Sequence, residues 1–184
     1  ELGWEIYVPI SISREIYLKL VDYGKKYDLV HAGGHALDIM RMEKGYLHWG
    51  HDISPAENPY EAGLEFTVKL NKQINFIGKE ALKTKNRKKK KQLTNFVLDK
   101  SKPGAPLLLH DEPIYYKGKI VGETTSSNYS FYYDKSMIFG YIDSEIDLKN
   151  LNGGTFEVEV AKSKYTMSIQ YEALHDPNNN FTKI

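Results

Sequence analysis

The sequence predicts an α+β protein in which a helical first part gives way to a small antiparallel β-barrel, and three observations carry that prediction. Before residue 90, apolar residues recur at the three-and-four spacing of amphipathic helices. Beyond it, short segments alternate apolar and polar residues, with turn-forming pairs between them. Between the two stands Lys83 to Lys91 (KTKNRKKKK), which supplies seven of the chain's 25 basic residues. The expected division is therefore a unit over 1–90 and a barrel over 91–184.

The first element follows from Trp4, Ile6, Val8 and Ile10 alternating with Glu5 and Tyr7, the period of a half-buried strand. Partner strands for it would lie upstream, so the chain is expected to be the C-terminal piece of a longer protein. Ser13 can N-cap a helix whose apolar face is Ile16, Tyr17, Leu20, Val21 and Gly24, packed on a sheet. After Gly33-Gly34, a second helix can run from His35 to Lys44 and stop at Gly45, with Leu37, Met40 and Ile39 toward the core. Tyr46 to Pro59 reads as a loop rich in rings, the kind of segment that often carries function. Leu64–Leu70 reads as a strand, and Phe76–Leu82 as a turn followed by a helix.

In the second part, strands are expected over Gln92–Leu98, Pro113–Tyr116, Lys119–Thr125, Met137–Ile142, Thr155–Val160 and Tyr165–Tyr171. Lys117-Gly118, Ser127-Asn128 and Asn152-Gly153-Gly154 supply the turns.

Composition narrows the function classes. Forty-one per cent hydrophobic residues is ordinary for a packed core, and no stretch approaches the ~20 apolar residues of a membrane helix. With no cysteine there are no disulfides, thiolate metal sites or cysteine nucleophiles, in keeping with a reducing compartment and an expected cytoplasmic location. The basic run has no interleaved aromatics for base stacking and reads as a solvated linker, so no nucleic-acid or membrane partner is expected.

The candidate chemistry has open alternatives. Glu5 reads either as a solvent-facing strand carboxylate or as an acceptor of two parallel N–H donors from an amidine-like ligand edge. Asp38 and Arg41, three apart on a helix, can simply pair. His48 and His51 suggest a metal site or a general base, yet a third ligand and a nearby nucleophile are lacking, and loop packing is the simpler reading. No phosphate-cradling glycine motif is present. Tyr129, Phe131, Tyr132 and Tyr133 cluster where rings can line a pocket or an interface.

Ordered landmarks extend the reading: Glu1-Leu2-Gly3-Trp4-Glu5-Ile6, Ala36 to Tyr46 (ALDIMRMEKGY), Trp49-Gly50-His51-Asp52, Asn58 to Leu64 (NPYEAGL), Phe76 to Leu82 (FIGKEAL), and His175-Asp176-Pro177 near the end. In this order they resemble the glycine-cleavage T-protein (aminomethyltransferase) family. The Glu-Lys-Gly-Tyr and Trp-Gly-His-Asp versions most resemble the folate region of dimethylglycine and sarcosine dehydrogenases. The resemblance implies a folate-binding α+β domain followed by a barrel. Its expected folate contacts are Glu5 at the pterin, Tyr46, Trp49, and Asn180 or its neighbour Phe181 near the C-terminus. A family arginine that touches folate falls at Leu37, a departure that favours the dehydrogenase-linked branch.

The reaction so implied is transfer of a methylene unit from an amine-derived iminium to tetrahydrofolate, with FAD only in an upstream domain. The family's catalytic aspartate belongs to the N-terminal half, so no catalytic residue is expected here and the fragment alone should be inactive. The alternative is a folate-binding or regulatory module without transfer chemistry.

Overall fold

The computed structural model describes residues 3–84, 89–151 and 153–181. Glu1-Leu2 of the first landmark, 85–88 of the basic run and Asn152 of an expected turn lie outside them.

The fold is α+β, as expected. Its helical part holds α1 (Ile10–Gly24), α2 (Gly34–Glu43) and α3 (Lys79–Thr84), with long loops between them. Its second part is a closed antiparallel barrel of β1 (Lys91–Leu98), β2 (Pro113–Tyr116), β3 (Lys119–Ser130), β4 (Lys135–Asp143), β5 (Phe156–Val160) and β6 (Ser163–Ile169). The order around the barrel is β1-β4-β3-β2-β5-β6, and β6 pairs back to β1 through Phe96–Ile169 and Leu98–Met167. At Lys117-Gly118 both residues take positive φ (50° and 74°), the conformation a two-residue hairpin needs.

Five local expectations are corrected. Residues 3–9 form no strand, because no described segment offers them a ladder, and α1 starts at Ile10 behind Pro9, whose φ of −58° already suits a helix. Ser13 consequently lies inside the first turn, its hydroxyl donating to the Ile10 carbonyl (2.9 Å) instead of capping. The expected face of α1 does not lie on a sheet: Gly24 is the helix's one buried residue, covered by Leu29, while Tyr17 and Leu20 are exposed. Leu64–Leu70 forms a short 3₁₀ turn over Glu65–Thr67, closed by Thr67 and Val68 amides, and Ser127-Asn128 is the middle of β3.

The end of α2 follows its sequence closely. The Gly45 amide donates to Met42 O (3.0 Å) and the Tyr46 amide to Arg41 O (2.7 Å), with Gly45 at φ +77°. This paired termination satisfies the last carbonyls and aims Tyr46 away from the helix. On α2 the expected contact face holds at Ile39 alone: Leu37 and Met40 are exposed, and Met42 joins Ile39 in the packing.

Two cores result. Phe96, Leu98, Leu108, Ile114, Ile138, Ile142, Phe156, Val158 and Met167 fill the barrel interior. A smaller cluster sets Met42, with Ile39, Leu47 and Leu174, against Met137 and Phe139 of β4. Strand β4 is thereby buried from Ser136 to Ile142. Its alternate residues serve two different cores, which is why its sequence reads as a nearly continuous apolar run.

Candidate functional site

Loop 46–64 is stitched to the barrel through a buried carboxylate. Asp52, with a fully buried side chain, accepts Arg41 Nη1 (2.5 Å) and the His48 amide (2.8 Å) on Oδ2, and Thr125 Oγ1 (2.6 Å) on Oδ1. Tyr141 Oη donates to the Asp52 carbonyl (2.9 Å), and burial pushes that phenol's pKa up, so it stays a donor. Arg41 also donates to Asp38 Oδ1 (2.8 Å) and to Ser126 Oγ (2.8 Å), and it lies over the Phe139 ring. The helix pair anticipated between Asp38 and Arg41 is therefore part of a network reaching β3, where Asn128 Nδ2 donates to Asp38 Oδ2 (3.0 Å).

Beside this seam opens a cleft of about 780 Å³, within the range of small-molecule sites. Its walls come from the end of α2 and the following loop (Lys44, Tyr46, Leu47), from Ala62 to Leu64 and Phe66, from β1 (Leu93, Thr94, Asn95), from Ile169 to Tyr171, and from Asp176, Pro177 and Asn179. Apolar and aromatic side chains dominate, with amides and hydroxyls interspersed. Such a lining suits a flat heteroaromatic molecule that has a hydrogen-bonding edge.

Among the expected contacts, Tyr46 lines the cleft, half-exposed. Asn180 stands next to the wall residue Asn179, its amide donating to Asp176 Oδ1 (2.7 Å). Glu5 and Trp49 are outside the lining. Glu5 is exposed ahead of α1 and accepts Tyr7 Oη (2.5 Å), and Trp49 is exposed and bridges to Ile53. His48 and His51 lie ring to ring at 4.6 Å, and no described group of three or more His, Asp or Glu residues is set to hold a metal. No described helix is long and apolar enough to cross a membrane.

Sequence reasoning placed Asp52 and Lys44 within family landmarks without giving either a role in the fold. Lys44 is buried, and its Nζ donates to the Asp176 carbonyl (2.6 Å) and to Asp176 Oδ2 (3.1 Å). Glu43 and Lys44 are both buried at the end of α2, and two adjacent buried charges need partners from elsewhere in the fold.

Three carboxylates in this region are held below the ordinary range. Burial raises each, but hydrogen bonds more than offset it: Arg41 and Asn128 for Asp38, Lys91 and Ser54 for Glu57, the Asn180 amide and Lys44 for Asp176. A depressed folded pKa gives stability that is present above the unfolded value and lost as pH falls through the folded one. Unfolding midpoints should therefore decline from about pH 5 downward. Glu57→Gln should flatten that decline, as read by urea titrations at several pH values. An equally steep acid limb in the variant would remove Glu57 from the account.

The GCVT N-terminal domain model matches residues 1–72, and the glycine cleavage T-protein C-terminal barrel domain model matches residues 91–176. The chain is 37% identical over 177 residues to mouse (Mus musculus) mitochondrial dimethylglycine dehydrogenase, covering 95% of this chain and 19% of that protein. It is 32% identical over 188 residues to human (Homo sapiens) mitochondrial sarcosine dehydrogenase, covering 100% of this chain and 20% of the relative. The chain thus spans about a fifth of the length of these curated relatives. In fold it resembles glycine cleavage system aminomethyltransferase T from Bartonella henselae, with a TM-score of 0.74 at 21% identity over 92% of this chain and 45% of that one.

Proposed function

The chain belongs to the glycine-cleavage T-protein family, and from that membership we propose that it forms the tetrahydrofolate-binding C-terminal region of a one-carbon transferase of the dimethylglycine or sarcosine dehydrogenase type. The observation that carries the reading is the junction of the two family domains, where Tyr46, Phe66 and Tyr171 ring an open cleft of small-molecule size.

In this reading, tetrahydrofolate and an amine-derived iminium are the substrates. An upstream N-terminal half completes the site and carries the acid-base group, and a flavin domain further upstream generates the iminium. This chain's part is to bind and orient folate. It favours transfer through proximity and through the charge it places near the reacting nitrogens, without forming a covalent bond to either reactant. Tyr46 supplies an aromatic wall, Asn180 a polar contact from the C-terminal segment, and Trp49 and Glu5 contacts made in the full-length assembly. Glu5 receives the N–H edge of the pterin on its two oxygens. The 1–90 and 91–184 division and a cytoplasmic location belong to the same proposal.

Calorimetric titration of the full-length protein with tetrahydrofolate tests it. Glu5→Ala should weaken binding by about 1.5–3 kcal/mol, the range for hydrogen bonds to a charged group. Unchanged affinity would take Glu5 out of the site, and no binding by the wild type would sink the folate reading. Formation of 5,10-methylenetetrahydrofolate during turnover separates transfer from a module that binds folate and nothing more.

A further inference from the structure

Residues 175–181 run along the rim of the cleft, and the end of α2 fastens them. The His175 amide donates to the Glu43 carbonyl (2.8 Å). Next to it, Lys44 Nζ holds both the carbonyl and the carboxylate of Asp176, and the two side chains are only 6% and 3% exposed. Asp176 in turn gathers the segment onto itself, Oδ1 accepting the Asn180 amide (2.7 Å) and Oδ2 the Phe181 amide (3.2 Å). Asp176 and Asn179 have φ of 42° and 55°. Residues other than glycine keep such left-handed backbone where their surroundings over-determine it.

A buried ion pair is a poor source of net stability, since desolvating two charges cancels much of their attraction. What an ammonium supplies in this position is direction: it donates to two oxygens of one residue and fixes where that residue sits. The segment it fixes belongs to no helix or strand, and three of its residues, Asp176, Pro177 and Asn179, form cleft wall.

We propose that Lys44 is a positioning residue whose ammonium clamps the 175–181 strap to the end of α2 and so sets the rim against which the ligand binds. The ligand's identity rests on the folate reading, while the clamp itself does not. With the strap released, the binding-competent cleft is populated only part of the time, and apparent affinity falls by that fraction.

The experiment compares full-length wild type, Lys44→Met and Lys44→Arg by hydrogen exchange at the Asn180 and Phe181 amides and by titration with tetrahydrofolate. Lys44→Met should speed exchange at both amides and weaken folate binding by about tenfold, the loss expected if the closed strap is populated roughly a tenth of the time. Lys44→Arg, which keeps the charge and several donors, should restore most of both. Unchanged amide protection in Lys44→Met overturns the clamp. Faster exchange with undiminished folate affinity overturns its role in binding. If Lys44→Met does not fold, Asp176→Asn, which keeps the side chain's shape, is read by the same two measurements. A wild type that binds no tetrahydrofolate removes the folate reading, and the exchange comparison still decides the clamp.

Discussion

Replacing Asp52 with alanine should lower the free energy of unfolding by about 3–5 kcal/mol, the cost of breaking a buried ion pair from one side. The side chain is fully buried and serves Arg41, the His48 amide and Thr125 at once. Its loss strands a guanidinium N–H and a backbone N–H and leaves the Thr125 hydroxyl only the longer contact to the Phe139 carbonyl (3.4 Å). Arg41 keeps Asp38 and Ser126, which places the loss toward the lower end of the range. Asp52→Asn should recover only part of it, because a carboxamide has one acceptor oxygen where the carboxylate uses two. Urea unfolding followed by circular dichroism measures the effect, and a shift under about 1 kcal/mol, the worth of one ordinary hydrogen bond, would show that the network is not a structural seam.

Gly122→Ala should cost about 3 kcal/mol or more, the upper end for forcing extra atoms into a packed site. A Cβ at that position would stand 1.8 Å from the Tyr141 carbonyl oxygen and 2.9 Å from Ile142 Cα. Both are backbone atoms of β4, so no rotamer change relieves the clash and the β3–β4 ladder must part. Gly118→Ala is the comparison. There the surroundings are open and φ is +74°, so the strain is that of a left-handed alanine, about 1–2 kcal/mol. If the two variants unfold at the same midpoint, the close approach of β3 and β4 does not matter as described.

The barrel was legible because its strands are short, alternate cleanly and pair mainly with one another. All six were anticipated within a few residues, except that β3 runs on to Ser130. The misplaced turn within it has a specific cause. Ser126 and Asn128 look like turn residues, but their side chains answer Arg41 and Asp38 of α2 across the interface. Polarity that signals a loop in isolation here marks a strand facing a charged helix. The same locality explains the failure at residues 3–9, since alternation describes a strand's faces and says nothing about a neighbour to pair with. Leu37 and Met40 were assigned to the core on helical period alone, and the choice of face fell to β4, through Met137 and Phe139.

Of the contacts the family resemblance implies, Tyr46 lies in the cleft wall and Asn180 follows the wall residue Asn179. The resemblance set Lys44 and Asp52 inside its landmarks but assigned neither a role. Their partners stand far off in the chain, Asp176 for Lys44 and Thr125 for Asp52, and no short motif encodes an ion pair or hydrogen bond of that span.

The two-sided burial of β4 bears on how this molecule can be handled. Pairing β6 with β1 at Phe96–Ile169 and Leu98–Met167 closes the barrel, so neither the first nor the last strand presents a whole free edge to another copy. Its outer wall offers no such protection. Cutting the chain ahead of β1 would uncover Met137, Phe139 and Tyr141 together, a contiguous greasy patch on an otherwise finished barrel. The excised barrel would then self-associate through that wall, and keeping α2 and its following loop on the chain is what would make it tractable in concentrated solution.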